Sequence, residues 1–152
     1  MSGCKVREVM TDSVTCVSTS TPLKMIVRLL AQDRVSAVPV LDQDGRLVGV
    51  VSEADLMAKV QYQGQARPDA RADRRERQRH AKADGNTAGE LMSSPAIAIF
   101  PDLSVVEAAR IMHREQIKRL PVVDADGRVT GVLSRSDVLK VLLRPDHSIR
   151  SD

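Results

Sequence analysis

Residues 120–137 read Leu-Pro-Val-Val-Asp-Ala-Asp-Gly-Arg-Val-Thr-Gly-Val-Leu-Ser-Arg-Ser-Asp, and residues 38–55 read Val-Pro-Val-Leu-Asp-Gln-Asp-Gly-Arg-Leu-Val-Gly-Val-Val-Ser-Glu-Ala-Asp. The two stretches align without a gap at an offset of 82, with ten identities in the seventeen positions from 39 to 55. Each is an apolar run, an Asp/Gly turn, a second apolar run and a Ser-x-x-Asp ending. The Asp-x-Asp-Gly segment supplies hairpin chemistry, because Gly takes positive φ without steric cost. Pro39 and Pro121 donate no backbone hydrogen bond, which places them at a strand edge or near a strand start.

The repeat extends outward on both sides. Upstream, Leu23, Ile26, Val27 and Leu30 recur at helical spacing, and Val105, Ala108, Ala109 and Met112 hold the same positions in the second copy. Helix starts are signalled by Thr21 ahead of Pro22, and by Ser104 or Asp102. Before each helix lies a β-prone stretch, Val14–Val17 and Ala96–Ile99. Downstream, Ser52 opens a helix whose apolar positions include Leu56, Met57 and Val60. Each unit is thus strand, helix, strand, strand, helix, too small to bury its own sheet face. Two of them packed face to face would share a core. The expected fold class is α/β, with repeats at 1–60 and 88–145, a basic polar linker at 61–87 and a tail at 146–152. Asp69–Ala83 is expected to be an exposed helix with an Asp73/Arg77 pair, and Thr87–Glu90 has the capping-box pattern.

Composition narrows the class. The chain has 152 residues, of which 42% are hydrophobic and 28% charged, as in an ordinary globular domain. No apolar run approaches the roughly 20 residues of a bilayer span, and the N-terminus has no signal-like apolar stretch. Cys4 and Cys16 are the only cysteines, too few for a disulfide scaffold, so a reducing cytoplasm is the expected location. The net charge of +3 is a local matter. Residues 58–87 hold eight basic and four acidic side chains, leaving the rest of the chain at −1. Arg71–Lys82 offers a rival reading as a nucleic-acid grip, but acids are interleaved and Tyr62 is the sole aromatic nearby, so nucleic acid is not the expected partner. His80, His113 and His147 are scattered, which predicts no metal site. No P-loop, dinucleotide loop or nucleophile–base set is present, so no catalytic residue and no enzyme are expected.

The pattern hydrophobic-Pro-Val-x-Asp-x-Asp-Gly followed by Gly-hydrophobic-hydrophobic-Ser-x-x-Asp resembles the CBS domain, which occurs in pairs called Bateman modules. Val9-Met10 and Leu91-Met92 resemble the usual start of each motif. The resemblance implies two αβ units about a pseudo-twofold axis, association into homodimers, and an adenosine ligand in the cleft between repeats. That ligand would be AMP, ADP or ATP, or else S-adenosylmethionine or an NAD-type compound, bound for regulation and not as a catalytic cofactor. It implies ribose binding by Asp55 and Asp137, and phosphate binding by Ser52 and Ser134 at helix starts. Ser-x-x-Asp is equally an ordinary capping arrangement that needs no ligand. Lys118 and Arg119 stand where family members carry phosphate-binding cations, whereas the first repeat has Ser36 and Ala37. The better phosphate site is therefore expected to combine Asp55 and Ser52 with Lys118 and Arg119. The Asp137 site is expected to be empty or to take a less charged adenosine group, with Arg34 or Arg135 in compensation. Adenine would lie against Thr15, Cys16, Val17 and Val38 in one site and Ile97, Ala98, Ile99 and Leu120 in the other. Cys16 is expected to serve as a small core hydrophobe and not as a redox centre. A structural dimerisation module with degenerate pockets is the plain alternative. Finally, Leu143–Arg150 resembles the join that precedes a BON domain in bacterial proteins, which implies such a domain beyond this chain.

Overall fold

The computed structural model describes residues 3–62 and 86–143, so the expected linker helix and the C-terminal tail lie outside the described residues. The elements in chain order are α1 (Val6–Val9), β1 (Val17–Ser18), α2 (Leu23–Asp33), β2 (Ala37–Leu41), β3 (Leu47–Ser52), α3 (Glu53–Tyr62), α4 (Ala88–Leu91), α5 (Val105–Glu115), β4 (Arg119–Val123), β5 (Val129–Ser134), α6 (Arg135–Lys140) and a 3-10 turn at Val141–Leu143. The chain divides into two compact units, one of Thr15–Ala96 and the other of Met1–Val14 with Ile97–Asp152. Unit boundaries therefore cut across the sequence repeats. The leader of the first repeat, residues 3–14, belongs to the unit built from the second, and the leader of the second, residues 88–96, belongs to the unit built from the first.

In the unit of Thr15–Ala96, β1 runs parallel to β2, which pairs antiparallel with β3. Ile26 and Leu30 of α2 pack with Val38, Val40 and Val51 of the sheet and with Ala88 and Leu91 of α4, all buried. Val27, although in helical phase with them, is half exposed. The start of α2 differs from the sequence expectation. Pro22 is the N-cap residue and no side chain caps the helix, because the Thr21 hydroxyl instead accepts from the Ser18 amide at 3.0 Å. At α4, Glu90 accepts from the Asn86 amide and the Thr87 hydroxyl, which hold its carboxyl below the usual carboxylate range, while Thr87 makes no side-chain cap of its own.

The second unit repeats the plan around β4 and β5. Ala108 and Met112 of α5 pack with Ile99, Leu120, Val122, Leu133 and Val6 of the leader helix. Ser104 caps α5 by accepting from the Glu107 amide at 3.1 Å. The strand expected at Ala96–Ile99 is reduced to one parallel bridge between Ile99 and Val122, held by two backbone hydrogen bonds of 3.0 and 2.9 Å.

Both hairpin turns have one construction. Asp42 Oδ1 accepts from the amides of Asp44 and Arg46, and Asp124 Oδ1 from those of Asp126 and Arg128, each pair at 2.9 and 3.0 Å. Gly45 and Gly127 follow at φ 82° and 84°, values an L side chain adopts only with strain.

Candidate functional site: two buried carboxylates at helix starts

Each hairpin delivers the chain into a helix through Ser-x-x-Asp. Ser134 is the N-cap of α6. Its hydroxyl accepts from the Asp137 amide at 3.2 Å, and Asp137 Oδ2 accepts from the Ser134 amide at 2.9 Å. The same reciprocal cap opens α3, where Asp55 Oδ2 accepts from the Ser52 amide at 2.9 Å and Ser52 Oγ from the Asp55 amide at 3.3 Å. The capping reading of the motif is thus correct as local structure. It does not account for burial, since Asp55 and Asp137 are only 8% and 6% exposed. A charge is seldom buried to that degree without a structural or binding reason.

The two carboxylates differ in what else they meet. Asp55 Oδ2 also accepts from the Ser52 hydroxyl at 3.1 Å, and Asp55 Oδ1 accepts from the Ser93 hydroxyl at 3.1 Å. Sequence reasoning overlooked Ser93. The offset of 82 that pairs Met92 with Met10 also sets Ser93 against Thr11, so the signal was present as two hydroxyl residues in register. Ser93 reaches Asp55 because its backbone lies along β3, bridged to Val50 by hydrogen bonds of 3.1 and 2.9 Å. That approach depends on Gly49. A Cβ there would lie 2.5 Å from Met92 Sδ and 2.9 Å from the Ser93 carbonyl oxygen. Gly131 stands in the same relation to Met10 and Thr11, at 2.8 and 2.9 Å.

The backbones of Lys118, Arg119 and Arg135 lie beside the Ser134–Asp137 turn. Arg119 pairs with Ser134 across β4 and β5, and the Arg135 amide donates to the Lys118 carbonyl at 3.0 Å. Lys118 and Arg135 are exposed and Arg119 is half-buried. In the other unit Ala37 pairs with Ser52, and the Glu53 amide donates to the Ser36 carbonyl at 2.9 Å, with no cation in these positions.

Among the expected adenine-contacting residues, Val17 and Val38 are buried in the core of one unit, and Ile99 and Leu120 in that of the other. Thr15 is exposed and donates from Oγ1 to Asp33 Oδ2 at 2.7 Å. Cys16 and Ala98 are half-buried and Ile97 is 40% exposed. Burial pushes the Cys16 thiol pKa up, and neither cysteine is in a disulfide. An apolar cavity of about 400 Å³ on α5 and α6, lined by Val105, Val106, Ala109, Arg110, His113 and Val138, contains none of the expected site residues. Among the described residues, no three His, Cys, Asp or Glu side chains gather as metal ligands, and no helix is long and apolar enough to cross a membrane.

Comparison with known proteins follows the same lines. The model of the CBS domain matches residues 6–62 and again residues 88–144. The chloroplastic CBS domain-containing proteins CBSX1 and CBSX2 of Arabidopsis thaliana are each 30% identical over 138 residues, covering 84% of this chain and 58% of theirs. The chain therefore spans a little over half the length of those relatives. A CBS domain-containing protein of Dictyostelium discoideum is 30% identical over 139 residues, 91% of either chain. The crystal structure of CBSX2 in complex with AMP is similar to this one with a TM-score of 0.82 and 31% identity, covering 93% of this chain and 97% of that one. Two in-register family matches on two hairpin-and-helix units of one construction lead to a single conclusion: the chain belongs to the CBS domain family and carries the domain twice.

Proposed function

We propose that this chain is a regulatory module that binds an adenosine nucleotide or related adenosyl compound and performs no bond-making chemistry. The observation that carries the reading is the buried carboxylate in each helix-opening Ser-x-x-Asp turn, Asp55 and Asp137. A carboxylate is the group best suited to accept from both hydroxyls of a ribose, with charge-assisted bonds stronger than neutral ones. Phosphate is served by Ser52 and Ser134 together with Lys118, Arg119 and Arg135, whose positive charge the phosphate oxygens require. Because Val17, Val38, Ile99 and Leu120 are occupied in their own cores, adenine recognition falls to backbone groups beside them and to Thr15, Cys16, Ile97 and Ala98. The relation to CBSX2, solved with AMP, supports AMP as the first ligand to try.

The module works as a homodimer in a reducing cytoplasm. Exposed apolar side chains support self-association, namely Met57 and Val60 on α3 and Leu139, Leu142 and Leu143 on α6 and the turn after it. Ligand then shifts the balance between two conformations by its differential affinity for them. The test is a thermal-shift panel of AMP, ADP, ATP, S-adenosylmethionine and NADH. A compound at one hundred times its Kd stabilises by about 2.7 kcal/mol, or about 5–10 °C in Tm for a chain of this length. A flat panel up to millimolar ligand refutes ligand sensing and leaves a structural dimerisation module.

A further inference from the structure

The two carboxylates expected to do the same job are not equally available. Asp55 accepts at both oxygens from within its own unit, at Oδ2 from the Ser52 amide and hydroxyl and at Oδ1 from the Ser93 hydroxyl. Asp137 is the more deeply buried of the two, yet only Oδ2 accepts a hydrogen bond, from the Ser134 amide. Among the described residues no donor reaches Asp137 Oδ1, and the Ser134 hydroxyl, which accepts from the Asp137 amide, donates to nothing. In a residue this deeply buried, a carboxylate oxygen without a protein donor is uncommon enough in native proteins to need an explanation. Here the missing partner is what a ribose diol supplies.

Position 11 explains why the units differ. Thr11 is bridged to Val132 by two backbone hydrogen bonds of 2.9 Å, just as Ser93 is bridged to Val50. Its hydroxyl nevertheless makes no hydrogen bond to Asp137. A β-branched side chain has a restricted χ1, so Thr is less free than Ser to turn its hydroxyl onto the carboxylate.

We infer that Ser93 is a specificity-determining residue: its hydroxyl occupies the Asp55 carboxylate and closes that half, so the chain takes one adenosyl ligand, with the ribose diol on Asp137 and an adjacent phosphate within the field of Lys118, Arg119 and Arg135. This rests on the adenosine-binding reading above and adds which carboxylate is used and what disables the other. It reverses the order expected from the position of the cations alone.

Isothermal titration of the full chain with AMP tests it. The wild-type chain takes one AMP per chain. Asp137→Asn keeps an oxygen to cap α6 but loses the charge, and weakens AMP binding about 100-fold. AMP analogues lacking the 2′- and 3′-hydroxyls lose affinity to a similar degree in the unmodified protein, a readout independent of any folding defect. Ser93→Ala adds a second, weaker binding event, and Ser93→Ala combined with Asp55→Asn removes that event again. Two equal sites in the wild type, full affinity in Asp137→Asn, or a stoichiometry still of one in Ser93→Ala each overturn the inference while leaving adenosine sensing intact. Absence of AMP binding, together with a flat panel of the other adenosyl compounds, overturns both.

Discussion

Replacing Gly49 by alanine tests the packing on which the candidate site depends. The added Cβ would stand 2.5 Å from Met92 Sδ, 2.9 Å from Met92 Cγ and 2.9 Å from the Ser93 carbonyl oxygen. The thioether end of Met92 can swing aside, since methionine is the most adaptable of core side chains. The carbonyl cannot, because it accepts from the Val50 amide at 3.1 Å while the Ser93 amide donates back to the Val50 carbonyl at 2.9 Å. Overpacking costs about 1–3 kcal/mol. Weakening two backbone hydrogen bonds adds about 0.5–1.5 kcal/mol each where the segment retreats. Against this, alanine recovers about 0.5–1 kcal/mol of glycine's unfolded-state entropy. The expected net loss is about 1–5 kcal/mol out of a typical 5–15 kcal/mol. With a urea m-value of about 2 kcal/mol/M, the unfolding midpoint falls by about 0.5–2.5 M. Gly3 is the control, having nothing within 4 Å of its would-be Cβ, so Gly3→Ala carries no steric cost and does not lower the midpoint. In the double variant Gly49→Ala, Met92→Ala the thioether clash is gone and the carbonyl clash remains, so the combined loss is less than the sum of the two single losses. A Gly49→Ala midpoint indistinguishable from that of Gly3→Ala refutes the argument.

Three further outcomes are expected. Arg34 and Gln116 close α2 and α5 in the left-handed region, at φ 52° and 55°. Replacing either by glycine relieves about 1 kcal/mol of strain, which raises Tm by about 2–4 °C in calorimetry. Ser104→Ala removes the hydroxyl that accepts from the Glu107 amide and lowers stability by about 0.5–2 kcal/mol in urea unfolding. The Cys16 thiol, its pKa raised by burial, reacts with iodoacetamide at pH 8 more slowly in the native chain than in the unfolded one. The stability this thiol contributes is complete below its unfolded pKa and is lost as pH rises through the folded value, so equal labelling rates in the two states would contradict its burial.

Much of the fold was legible because its signals are local. The turns could be read from Asp42 and Asp124 followed by Gly45 and Gly127, since one side chain and one backbone conformation determine the hairpin. The α5 cap at Ser104 is of the same kind. The α2 start was misplaced because Thr21 had a second amide, that of Ser18, within reach of its hydroxyl. The assignment of the leaders was not legible, and the reason is chemical. Met10-Thr11 and Met92-Ser93 present nearly the same shape, and Gly131 and Gly49 present nearly the same slot. Contiguity along the chain assigns each leader to its own repeat, whereas the compact units pair each with the other repeat. Because the parts are interchangeable, nothing in either leader's residues marks its destination.

The same interchangeability explains why a small difference at one position has a large effect on the candidate site. Turn, strand register and reciprocal cap are matched in the two units to within a few tenths of an ångström in hydrogen-bond length. Turn and cap alone could therefore not rank Asp55 against Asp137, and the expected preference for Asp55 came only from the cations Lys118 and Arg119. What separates them is hydroxyl donation: Asp55 accepts from Ser93 of a leader and from Ser52, whereas neither Thr11 nor Ser134 donates to Asp137, although the two carboxylates are alike in being only 8% and 6% exposed. In water that hydroxyl would compete with solvent and contribute little. At a carboxylate this deeply buried few other donors come within reach, so the presence or absence of that one hydroxyl changes the hydrogen bonding of the group. On the proposed reading, a repeat protein with two copies of one turn retires one of them through the residue that lies beside it.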